Sequence, residues 1–170
     1  SGGSPVQAWL GEETLRDLPE YLAEYRKCAA VDTEKFLAGE LAKINDWFAD
    51  LAARDVVLNE IRQDKKASDS LWKPYYVPSK WKDTEIGDII GAVWFRRNFT
   101  VDSLHAGKPA RLRMGCMVDS DETWINGVSV GTTGYQYPPR RYTIPTGVLK
   151  EGENTILIRI VAPAADGGFV

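Results

Sequence analysis

The chain has 170 residues, 44% of them hydrophobic, and a net charge of −3. That size and apolar content allow one substantial core, or one core with a smaller helical annex. The weakly acidic balance excludes the basic footprint of a nucleic-acid or anionic-lipid binder. No apolar run approaches the roughly 20 residues that cross a bilayer, so neither nucleic acid nor membrane is an expected partner.

Ser1 to Trp9 reads as a flexible lead or a tag remnant, with Gly2 and Gly3 near its start and no signal peptide. From Glu12 the pattern turns helical. Leu15, Leu18, Leu22 and Tyr25 fall on one face, and Glu12 and Glu13 sit where the helix dipole favours acids. Pro19 predicts a break or a new start near Leu18. Asp32 is an N-cap for a second helix, whose stripe Leu37, Leu41, Ile44, Phe48 and Leu51 reads as core packing. Asp55 to Lys66 continues as a short charged helix, closing a helical segment over residues 1–66.

Ser68 to Asp83 is aromatic and proline-punctuated, with Trp72, Tyr75, Tyr76 and Trp81. Such a stretch suits an extended segment that covers a sheet edge, or offers faces for sugar rings. From Gly91 the period changes to two. Phe95, Phe99 and Val101, then Leu112, Met114 and Cys116, then Ile156, Ile158 and Ile160 alternate with polar residues. Asn126-Gly127 is a type I′ hairpin signal, because both central positions need positive φ. Short strands at this spacing predict an antiparallel β-sandwich over 67–170, and the whole reads as α+β.

Chemistry is sparse. Cys28 and Cys116 read as small buried apolar residues; a disulfide between them is the weaker alternative and a metal site weaker still. The single histidine lies in Asp102-Ser103-Leu104-His105, a spacing that can supply an acid–base pair. It occupies a polar connection with no Gly-x-Ser-x-Gly elbow to provide a nucleophile. Asp119, Asp121 and Glu122 could gather around calcium but more readily cap turns. Tyr135, Tyr137, Arg140 and Tyr142 combine aromatic faces with a guanidinium, suiting sugar contact or a buried interface anchor. No cofactor is expected, since phosphate loops and nucleotide-binding turns are missing from the sequence.

Gly91-Ala92-Val93-Trp94-Phe95-Arg96-Arg97-Asn98-Phe99 and Asp119 through Gly131 resemble the sialate O-acetylesterase family. Pro139 to Pro145, Gly152 to Ile156 and Asp166 to Phe169 continue the likeness in order. The resemblance implies a galactose-binding-like jelly roll inserted into a serine esterase domain of the SGNH type. Gly2-Gly3-Ser4-Pro5-Val6-Gln7-Ala8-Trp9 resembles that esterase domain's glycine loop, implying an oxyanion-hole role for Gly2 or Gly3. The nucleophile and the acid–base pair of such an enzyme lie outside this stretch, and Asp102 and His105 do not align with them. The implied reading is a non-catalytic insert partnered by the rest of an acetylesterase, secreted or periplasmic, with carbohydrate a candidate ligand at Trp72, Tyr75, Tyr76, Tyr135 or Tyr137. The alternatives are a carbohydrate-binding module, or the sugar-binding domain of a family 2 type glycoside hydrolase, which shares the Trp-Phe-Arg and Trp-x-Asn-Gly-x-x-Val-Gly patterns.

Overall fold

A computed structural model of the chain describes residues 3–62 and 72–170. Its helices are α1 (Pro19–Ala29), α2 (Thr33–Arg54) and α3 (Val56–Arg62). Its strands are β1 (Gly91–Val101), β2 (Ala110–Arg113), β3 (Met117–Val118), β4 (Ser120–Ile125), β5 (Val128–Thr133), β6 (Arg141–Ile144), β7 (Gly152–Ala162) and β8 (Gly168–Phe169). Helices followed by antiparallel sheets make the chain α+β. It divides into two compact units, Ser1–Ala49 and Asp50–Val170.

In the first unit, Pro19 opens α1, where its missing N–H costs no helical bond. Asp32 starts α2 as expected, its Oδ1 accepting the Lys35 N–H at 3.0 Å. Glu12 accepts both Nε and Nη2 of Arg26, at 3.0 and 2.9 Å. Two expectations are corrected here. The stripe Leu37, Leu41, Ile44 and Phe48 is exposed, so it is not core in this chain. Cys28 is exposed as well. Helical periodicity marks the side that favours an apolar neighbour; it does not say that the neighbour lies within the same stretch of chain.

The second unit is built on a four-stranded sheet of order β1-β7-β4-β5, with two-stranded sheets β2-β6 and β3-β8. The β4–β5 hairpin turns at Asn126 and Gly127, with φ of 50° and 82°, as the type I′ reading requires. Tertiary structure gives Asn126 a further task. Its Nδ2 donates to the Val148 carbonyl and to Asn154 Oδ1, and its Oδ1 accepts the Thr155 N–H. The inward face of β7 carries Ile156, Ile158 and Ile160, the predicted alternation. Ile158 and Ile160 pack with fully buried Trp81 and Met117, while Ile125, Ile144 and Leu149 form a second cluster with Leu112 from β2. Both clusters lie between the large sheet and the smaller pairs. Gly167 is needed beside Trp81, since a Cβ there would fall 1.8 Å from the indole ring.

The other face of the large sheet is polar at its centre. Trp94, Arg159 and Glu122 form one row across β1, β7 and β4, and Trp94 stacks on Trp124 with centroids 5.1 Å apart. Asp55, between α2 and α3, accepts Trp94 Nε1 at 2.8 Å and Arg159 Nε at 2.7 Å. It also caps α3 through the Leu58 N–H. One carboxylate thus joins a helix start to two strands. Removing it by Asp55→Ala leaves a nearly buried guanidinium without its counter-charge, and is expected to lower stability by about 3–5 kcal/mol. A shift of the urea midpoint at constant slope would show this, whereas a loss under about 1 kcal/mol would mean that solvent replaces the pair.

Candidate functional site

Two surfaces can be built from the candidate residues, and one buried cluster supports the first of them. Arg140 is wholly buried, immediately before β6. Its Nε donates to Asp121 Oδ1 at 2.6 Å. Nη1 donates to the carbonyls of Gln136 and Pro138, at 3.1 and 2.9 Å. Nη2 donates to those of Met117 and Asp119, at 3.0 and 2.7 Å. All five guanidinium donors are therefore used internally. Arg140 is an anchor with no donor left for a sugar.

Asp121 is equally committed. Besides Arg140 it accepts the Tyr142 hydroxyl, at 3.0 and 2.9 Å to its two oxygens, and the Thr123 hydroxyl at 3.1 Å. Asp121 points inward from β4 and caps no turn, which corrects that expectation. Of the calcium candidates, Asp121 already has a cation in Arg140, and Asp119 gives its backbone carbonyl to the same guanidinium. Among the described residues no cluster of three His, Cys, Asp or Glu suits a metal ion. Ser120–Ile125 shows no apolar alternation, so neither the inward direction of Asp121 nor the cation opposite it was legible in the sequence.

Gripping the carbonyls of Gln136 and Pro138 fixes every second residue of the loop. Tyr135 and Tyr137 stand outward, 58% and 74% exposed, with ring centroids 6.4 Å apart and planes at 64°. Cys116 is half-buried rather than buried, and its Sγ donates to the Tyr137 carbonyl at 3.1 Å. The result is a pair of aromatic faces on a pinned backbone.

The second surface is a groove of about 1730 Å³ along edge strand β1. The segment from Trp72 to Ser79 crosses that edge. Trp72 lies under the Arg96 guanidinium at 4.7 Å, while Tyr75 meets Phe95 edge-on at 4.9 Å. Consecutive strand residues face opposite ways, so the segment passes from one face of the sheet to the other. Tyr75 donates its hydroxyl to the Ser79 carbonyl at 2.8 Å, and Tyr76 is 87% exposed. Residues 68–71 of this stretch lie outside the described residues.

The remaining candidates are not brought together. Gly2 lies outside the described residues, and Gly3 has a φ of 96° with open space around it. Asp102 and His105 form an exposed pair, Oδ1 to Nδ1 at 2.7 Å, and Asp102 also accepts the His105 backbone N–H. The side-chain bond from His105 holds the Asp102 carboxyl below the usual carboxylate range. Among the described residues no hydroxyl reaches His105, so the pair is a turn motif.

No protein-family model matches the chain. The chain is 28% identical over 105 residues to a β-galactosidase of Bacteroides ovatus, covering 55% of this chain and 12% of that protein. A β-glucuronidase of an uncultured Clostridium species superposes with a TM-score of 0.53 at 25% identity, covering 62% of this chain and 19% of that one. A Ruminococcus gnavus β-glucuronidase solved with an N1-substituted uronic isofagomine gives 0.54 at 17% identity, over 64% and 19%, a likeness of fold alone. The chain thus spans less than a fifth of the length of these relatives.

These findings overturn the sialate O-acetylesterase resemblance and with it the SGNH parent. The relatives are glycosidases, and nothing among them points to an esterase. The oxyanion role of Gly2 and Gly3 rested on that resemblance alone. The motifs that suggested it are strand and hairpin elements of this chain, dictated by turn geometry and core packing.

Burial, reinforced by the neighbouring Asp121 carboxylate, pushes the Tyr142 phenol from 10.0 up to about 12. An acid whose pKa is raised on folding stabilises the fold while protonated. That contribution is complete below the unfolded value near 10 and disappears as pH climbs through about 12. Chemical denaturation across this window should show a fall in stability that is smaller in Tyr142→Phe. An identical alkaline profile in the variant would remove Tyr142 as its source.

Proposed function

We propose that the second unit is the sugar-binding domain of a family 2 type glycoside hydrolase, a galactose-binding-like jelly roll that does not itself cleave. The observation that carries this reading is the superposition on a β-glucuronidase at 25% identity over 62% of the chain. The alignment with a β-galactosidase supports it independently. So does the hairpin Trp124-Ile125-Asn126-Gly127-Val128-Ser129-Val130-Gly131, whose Asn126 ties the turn to β7.

The module is non-catalytic in this reading because the carboxylates with defined partners are structural. Asp55 holds Trp94 and Arg159, Asp121 holds Arg140 and Tyr142, and Asp102 closes a turn on His105. Glycoside cleavage needs two carboxyl groups facing one bond across a defined gap, and those would come from the rest of the polypeptide. Tyr135 and Tyr137 provide the sugar contact, since pyranose rings lay apolar C–H faces on aromatic rings and such rings lose little freedom on binding.

An NMR titration of the chain with methyl β-galactopyranoside tests the reading. Saturable shifts at Tyr135 and Tyr137, with a Kd near about 1 mM that weakens about tenfold in Tyr137→Ala, are expected. Hydrolysis of a nitrophenyl galactoside or glucuronide by the chain alone would overturn the non-catalytic assignment. Shifts that ignore both tyrosines would remove the loop as the sugar contact.

A further inference from the structure

Asn126-Gly127 is the single asparagine–glycine pair of the sequence; Asn45, Asn59, Asn98 and Asn154 all precede residues with side chains. The backbone nitrogen that follows an asparagine can attack its side-chain carboxamide, and glycine, having no Cβ, leaves that nitrogen least crowded. The new N–Cγ bond closes a succinimide ring and the carboxamide nitrogen departs as ammonia. Water then opens the ring to aspartate or isoaspartate. We infer that Asn126 is a self-modification site of this kind, and that its hydrogen bonds hold the reaction off while the chain is folded.

In the folded chain both ends of the carboxamide are held. Nδ2 donates to the Val148 carbonyl at 2.8 Å and to Asn154 Oδ1 at 2.7 Å, while Oδ1 accepts the Thr155 N–H at 3.0 Å. The Asn126 backbone is fixed too, its N–H donating to the Thr155 carbonyl at 2.9 Å. Asn154 does not yield, being 1% exposed and bound to the Lys150 N–H and to the carbonyls of Lys150 and Gly152. Turning the Asn126 side chain toward the Gly127 nitrogen would break its three bonds and leave the Thr155 N–H without its acceptor. Gly127 is exposed, so the block lies in the side-chain geometry and not in access of water. In the aspartate product a carboxylate oxygen replaces Nδ2 and faces two acceptors to which it has nothing to donate. The change runs one way, and it frees the turn from β7 and from the Val148 loop. This site is independent of the sugar contact at Tyr135 and Tyr137.

The test is peptide mapping by mass spectrometry after incubation in warm, mildly alkaline buffer, with the chain either folded or held unfolded in urea. Unfolded chain should convert Asn126 to aspartate and isoaspartate about a hundredfold faster than folded chain, as the loss of three restraining bonds implies. The other four asparagines should lag well behind Asn126 in the unfolded sample. Asn154→Ala should raise the folded-state rate about fivefold, with a urea transition showing that the fold is retained. Should that variant fail to fold, the comparison of folded and unfolded wild-type chain still decides. Equal rates in the two states, no conversion of Asn126 when unfolded, faster conversion at another asparagine, or an unchanged rate in folded Asn154→Ala would each overturn the inference. Asn126→Asp, a copy of the aspartate product, should unfold at lower urea than wild type, and an unchanged midpoint would overturn the freeing of the turn.

Discussion

The second unit depends on one buried charge. A guanidinium placed in a protein interior is costly unless a counter-ion and enough acceptors surround it. Arg140 meets that condition completely: one bond goes to Asp121 and four to backbone carbonyls. Those carbonyls belong to β3, to the residue just after it, and to the loop preceding β6. The planar fork of arginine can serve four carbonyls at once, whereas the three donors of lysine could not. A side chain that fills no ligand site thereby fixes the shape of a loop that could. The carbonyls it holds, of Gln136 and Pro138, flank Tyr137 on either side, and Tyr135 and Tyr137 stand outward from that pinned backbone.

The large sheet is held on its two faces by different means. On one face it packs aliphatic and aromatic side chains, with Trp81 and Met117 fully buried at the centre. On the other, Asp55 gathers an indole N–H, a guanidinium and a helix-capping amide onto one carboxylate. Apolar packing is tolerant of sequence but weak in direction; the carboxylate sets direction. Together they leave β1 as an edge strand, and the segment from Trp72 to Ser79 lies along it, bordering a groove.

Glycosidase relatives and an esterase resemblance met on the same motifs because those motifs describe a scaffold. An Asn-Gly turn, an alternating strand and a glycine beside an aromatic ring are requirements of backbone geometry. They recur wherever such a sheet is built, whatever chemistry stands beside it. Exposed side chains such as Tyr135 and Tyr137, which are free to meet a ligand, carry no motif.

What the residues alone determined was local. Period-two alternation placed Ile156, Ile158 and Ile160 on one face of a strand, Asn126-Gly127 specified its turn, and Asp32 and Pro19 set helix starts, each because the cause lies within a few positions of its effect. Tertiary structure decided everything that joins distant positions. It buried Arg140 against Asp121, set Asp55 beside Arg159, and left the α2 stripe Leu37, Leu41, Ile44 and Phe48 in solvent. A charge's partner, or an apolar face's cover, is fixed by which segments meet in space, and composition and periodicity contain no term for that.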